Sequence, residues 1–83
     1  MADDDRILKR SVRIQSHQTS VSMENAFWQA LQAIAQAQGR PLSNLIADVD
    51  AQRTVQAGGN LSSLLRVYAL RYYQQALADH QVP

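Results

Sequence analysis

The stretch "SVSMENAFW", residues 20–28, changes its period partway along. Ser20, Val21, Ser22 and Met23 alternate polar and apolar, as a half-buried strand does, while from Glu24 the apolar residues fall at helical spacing. A strand that runs into a helix with no loop between them leaves few folds open. It cannot satisfy its own backbone groups and is unstable alone, so it must pair. Its faces also differ: Thr19, Val21 and Met23 share one, and Gln18, Ser20 and Ser22 share the other.

The neighbouring residues extend this pattern. "RSVRI" alternates Val12 and Ile14 against Ser11 and Arg13 and predicts another strand, with "QSH" as the turn. No glycine or asparagine marks a tight turn there. Residues 1–8 read as a flexible arm before a domain over 9–83. Ser22 is expected to cap the helix "ENAFWQALQAIAQAQ", whose stripe is Phe27, Ala30, Leu31, Ile34 and Ala35, with Gly39 as its left-handed end. Trp28 lies at the edge of that stripe, a position for core or subunit contact. "RPLSNLIADVDAQR" predicts a second helix, with Pro41 in its first turn and Leu42, Leu45, Ile46 and Val49 on one face. "QAGGN" breaks it. Asn60 then caps a third helix over about 60–78, whose apolar face is wide: Leu61, Leu64, Leu65, Tyr68 and Tyr72, with Val67 and Leu70 alongside. That is more apolar surface than one short helix can cover within a lone protomer.

Composition narrows the setting. At 83 residues and 46% hydrophobic, the chain holds one domain with a core that is marginal by itself. It has no cysteine, so no disulfide supports that core. No apolar run is long enough for a bilayer, and "MADDDRILKR" is too acidic to open a signal peptide. A partner chain is the expected source of the missing stability, and no membrane association is expected. The net charge of +1 is weak, but Asp3, Asp4 and Asp5 are followed at once by Arg6, Lys9, Arg10 and Arg13. Such a basic cluster beside a strand suits phosphates as well as solvent.

Catalysis has little to stand on. His17 and His80 lie in a predicted turn and near the C-terminus, with no metal-ligand spacing. Asp48 and Asp50, two apart on a helix, point to different faces. Gly58-Gly59 lacks the preceding strand and following lysine of a phosphate loop. No enzyme, metal site or cofactor is expected.

A second copy bringing the same strand would complete an antiparallel ribbon, with Gln18, Ser20 and Ser22 repeated on its outer face. A two-stranded ribbon fits the major groove of DNA, where glutamine bonds adenine bidentately and serine serves donor or acceptor edges. Here the sequence resembles the ribbon-helix-helix DNA-binding proteins of the Arc and methionine-repressor type. The matched run is "QTSVSMENAFWQALQAIAQAQGRPLSNLI", residues 18–46, without a gap. The resemblance implies a mainly α fold with a short β ribbon, an intertwined homodimer, and base reading by Gln18, Ser20 and Ser22. It places Ser43 and Asn44 at a phosphate, and Val21, Leu31, Ile34, Leu45 and Ile46 in the dimer core. Met23 and Phe27 join that core by their spacing, and Arg10, Arg13 and Arg40 are further expected phosphate contacts. The segment from Lys9 to Tyr73 is similar to a short bacterial branch recognisable by "KRSV…H.TSVS.E.AFW" and "NLSS.LR…L", with an extra N-terminal strand and a third helix. Reading positions in this superfamily often hold arginine or lysine; here two of the three are serine.

The function so implied is that of a cytoplasmic, nucleoid-associated transcriptional regulator, a repressor that binds double-stranded DNA as a homodimer. The alternative is an antitoxin-like or scaffold dimer whose third helix docks a protein partner and whose ribbon touches no DNA. A rival register also stands: "NLSSLLRVYAL" itself resembles the start of a second helix, with Ser62 and Ser63 at the phosphate and residues 40–59 as an insertion.

Overall fold

The period switch at Glu24 is a direct junction. In the computed structural model, which describes residues 6–55 and 60–81, strand β2 (His17–Glu24) passes straight into helix α1 (Asn25–Ala37). Before them comes β1 (Ile7–Ile14), and after them α2 (Leu42–Val55) and α3 (Leu61–Gln81). The expected arm falls mainly outside the described residues. β1 nevertheless begins at Ile7, inside the stretch assigned to that arm and earlier than Arg10.

The two strands form an antiparallel hairpin, with Ile7 opposite Glu24 at one end and Ile14 opposite His17 at the other. Its loop is Gln15 and Ser16, with Gln15 at φ 53°. Two-residue hairpins need positive φ to match the twist of their strands, and asparagine or glycine usually supplies it. Here a glutamine does. The turn forms the hairpin that "RSVRI" and "QSH" predict, with β1 of the same chain along one edge of β2.

The inner face of the hairpin carries Val12, Ile14, Val21 and Met23, all buried. They pack with Leu31, Ile34 and Ala35 of α1, with Leu45, Ile46 and Val49 of α2, and with Leu61, Leu65 and Ala69 of α3. The expected core residues Val21, Met23, Leu31, Ile34, Leu45 and Ile46 are thus all buried within one chain, while Phe27 is only partly covered. Burying a leucine or isoleucine of this kind stabilises the fold by about 1.5–3 kcal/mol.

Local chemistry sets the helix ends. Glu24, extended at φ −61° and ψ 145°, is the N-cap of α1 and makes no side-chain cap bond. Ser22, expected as that cap, is still within the strand, because pairing with β1 carries the ladder on to Glu24. Gly39 ends α1 at φ +69°, where its N–H donates to Gln36 C=O (3.0 Å) and the Arg40 N–H to Ala35 C=O (3.1 Å). That bond pair is the Schellman arrangement and satisfies two carbonyls the helix leaves open. Pro41 stands just outside α2 rather than in its first turn, and its carbonyl accepts from Asn44 and Leu45. Asn60 Oδ1 accepts from Ser63 N–H (3.2 Å) at the start of α3. As expected, α3 leaves apolar surface open, with Val67, Leu70, Tyr73 and Leu77 exposed.

Candidate nucleic-acid interface

The hairpin register decides what stands on the outer face. Lys9 lies opposite Ser22, Ser11 opposite Ser20, and Arg13 opposite Gln18. All are exposed except Ser22, which is half-buried. The three residues expected to read bases therefore share one face with three polar residues of β1. Alternation had put Ser11 and Arg13 on the outer side of their own strand. Only the pairing aligns them, and Lys9, with Gln18, Ser20 and Ser22.

Ser22 is half-buried because α3 begins beside it. Its backbone N–H donates to Ser62 Oγ (2.9 Å), and its C=O accepts from Arg66 Nη2 (3.3 Å). Arg66 Nε also donates to the Glu24 carboxylate at 3.0 Å. Glu24's own backbone N–H, followed by Arg66, holds that carboxyl below its usual range. In an antiparallel ladder alternate residues turn their backbone groups away from the partner strand, and Ser62 and Arg66 meet those of Ser22 on that outer edge. The seryl start of α3, which the rival register puts at a phosphate, thus has one hydroxyl engaged with the strand.

Arg10 departs from its expected place. It is in phase with Val12 and Ile14, so it points inward; the alternation already contained that signal. Its guanidinium lies 4.6 Å from the Trp28 ring centroid, and Nη2 donates to Asn25 Oδ1 at 2.9 Å. Nη1 is buried without a partner. The phosphate role expected of Arg10 is therefore not carried forward.

The other expected phosphate residues do converge. Arg13, Arg40, Ser43 and Asn44 line one cleft of about 420 Å³, together with Gln15 and Asp48. Ser43 and Asn44 are exposed in the first turn of α2, which holds no acidic residue. The Asn44 N–H is already bonded to Pro41 C=O, so it is the helix dipole and the N–H groups ahead of Asn44 that favour an anion there. Arg40 is already engaged: it donates to the Asp48 carboxylate and, through Nε, to Gln38 Oε1 (2.8 Å). The Asp48 contact raises the Arg40 guanidinium above its ordinary value. A phosphate at this cleft would have to share Arg40 with Asp48.

Among the described residues no group of three or more His, Cys, Asp or Glu could hold a metal ion, and no helix is long and apolar enough to cross a membrane.

A short β ribbon that feeds directly into packed helices and keeps a polar face open defines a ribbon-bearing, mainly helical domain. The model of the ribbon-helix-helix domain family matches residues 7–73, and the chain belongs to that family. No curated protein matches it. Among solved structures it is similar to an uncharacterized protein from Bordetella pertussis Tohama I, at 32% identity and a TM-score of 0.78. The similarity covers 100% of this chain and 67% of that one.

Proposed function

We propose that this protein binds double-stranded DNA at specific sites and acts as a transcriptional regulator, a repressor, in the form of a homodimer. The observation that carries the reading is the ribbon's uncovered polar face, where Gln18 and Ser20 stand exposed beside Lys9 and Arg13. Family membership supports it. Gln18 has the paired donor and acceptor that adenine requires, and the hydroxyls of Ser20 and Ser22 suit either kind of base edge. Ser43 and Asn44, with Arg40 behind them, hold a phosphate at the start of α2 and so fix the register without reading sequence. The open apolar residues Val67, Leu70 and Leu77 of α3 are the surface the second copy covers. The protein works by occupying a site, not by catalysis, in the cytoplasm on the nucleoid.

The test is a binding selection from random duplex DNA, followed by titration of the selected site at several salt concentrations. Affinity should fall with salt by about 0.9 in the log–log slope for each phosphate neutralised. Sedimentation equilibrium should give twice the chain mass of 9.3 kDa. Absence of binding at low salt would refute the reading. It would favour the second one, a protein-docking module, which a different feature supports: a cleft of about 420 Å³ between α2 and α3, lined by Val49, Leu64, Tyr68 and Tyr72.

A further inference from the structure

On the ribbon's outer face the cations are sorted by strand. β2 presents the uncharged Gln18, Ser20 and Ser22, whereas β1 presents Lys9 and Arg13 on either side of Ser11. We propose that β1 is a flanking strand that grips phosphates along one wall of the major groove, with Lys9 and Arg13 as its contacts, while β2 lies over the base edges. The inference rests on the DNA-binding reading above and deepens it.

The hairpin leaves β2 an edge for the second copy. In an antiparallel ladder alternate residues turn their backbone groups away from the partner strand. Gln18 and Ser20 share that row with Ser22, so β2 keeps a second edge opposite β1, which α3 meets at Ser22. In the homodimer a second β2 pairs along this edge, and the sheet runs β1, β2, β2, β1. Neighbouring strands lie about 4.8 Å apart, which sets the two β1 axes about 14 Å apart. The major groove is about 12 Å wide. The central β2 pair therefore fits between the walls, and each β1 is carried out to a wall, where the phosphates are. A neutral centre over the bases and basic flanks over the phosphates is the charge pattern the groove requires.

The placement of the two cations agrees with this. Arg13 lines the same cleft of about 420 Å³ as Ser43 and Asn44, the phosphate grip read above at the start of α2. Arg40 in that cleft is engaged by Asp48, whereas Lys9 and Arg13 are exposed and have no ion-pair partner among the described residues. From Lys9 to Arg13 the strand rises about 14 Å, at about 3.4 Å per residue, so the two reach separate phosphates. Glu24, the acidic group on this face, is held by Arg66 and does not oppose them.

Salt titrations of Lys9→Gln and Arg13→Gln, on the selected site and on scrambled duplex DNA, test the inference. Each substitution removes two phosphate contacts from the homodimer, so the log–log slope should fall by about 1.8. Affinity at about 0.1 M salt should then drop about sixtyfold and converge on the wild-type value near about 1 M. Phosphates carry no sequence information, so both DNAs should lose affinity alike. Arg71→Gln removes the same charge from an exposed position on α3 and should leave the slope unchanged.

A loss confined to the selected site, at unchanged slope, would make Lys9 and Arg13 base readers and overturn the inference while sparing the function. Wild-type affinity in both variants, or an equal slope change in Arg71→Gln, would overturn it as well. A wild-type chain that binds no DNA at low salt overturns the function along with it.

Discussion

Replacing Arg10 with methionine separates a structural arginine from a DNA-binding one. The charged bond to Asn25 Oδ1 at 2.9 Å contributes about 1.5–3 kcal/mol. Stacking 4.6 Å from the Trp28 centroid adds about 0.5–2 kcal/mol. Against these stands Nη1, buried without a partner, which costs about 1–3 kcal/mol. The polar terms therefore leave only a small surplus. Methionine keeps the unbranched stem and makes its own sulfur–aromatic contact, of about 0.3–1.5 kcal/mol. Arg10→Met should thus lower stability by no more than about 1 kcal/mol, whereas Arg10→Ala, which also loses the stem's packing, should lower it by about 2–3 kcal/mol. Urea unfolding with an unchanged m-value measures both. In DNA titrations Arg10→Met should keep the wild-type salt slope, because the guanidinium faces the core. A loss above about 3 kcal/mol for the methionine variant would refute the balance of terms, and a slope reduced by about 0.9 would refute the inward role.

Three further outcomes are expected. Glu24 titrates below the usual carboxylate range in the folded chain, so its contribution is complete above the unfolded value of about 4.3 and fades as pH falls through the lowered one. Wild type and Glu24→Gln should therefore differ in urea midpoint at pH 7 and converge in acid; a constant gap would mean that the lowered Glu24 titration, held by its own backbone N–H and then by Arg66, is not the cause. Gly39→Ala meets no atom within 4 Å, so it should cost only the left-handed backbone penalty of about 1–2 kcal/mol, read from thermal melts. Asn60→Ala removes the bond to Ser63 N–H and should cost about 0.5–2 kcal/mol by the same measurement; no change would mean that the bond contributes nothing to α3.

Much of the fold was legible because periodicity is a local property. Alternation through "TSVSM" and the 3.6-residue spacing after Glu24 place β2 and α1 whatever surrounds them. Gly39 announced the end of α1, and Asn60 the start of α3, since each acts on backbone groups a few residues away. The same alternation put Arg10 in phase with Val12 and Ile14. Its charge suits a phosphate, but its phase assigns it to the core side.

What the sequence alone determined was therefore the order of elements, the apolar face of each, and the family they compose. The register in which β1 pairs with β2 was decided in three dimensions. Every strand offers the same N–H and C=O groups, so the register is chosen by geometry, here by Gln15 adopting a positive φ that its identity does not announce. From that one turn follow the alignment of Arg13 with Gln18 and of Lys9 with Ser22. The packing of α3 then brought Ser62 and Arg66 to the free edge at Ser22, about 40 residues along the chain, a contact that no local period encodes.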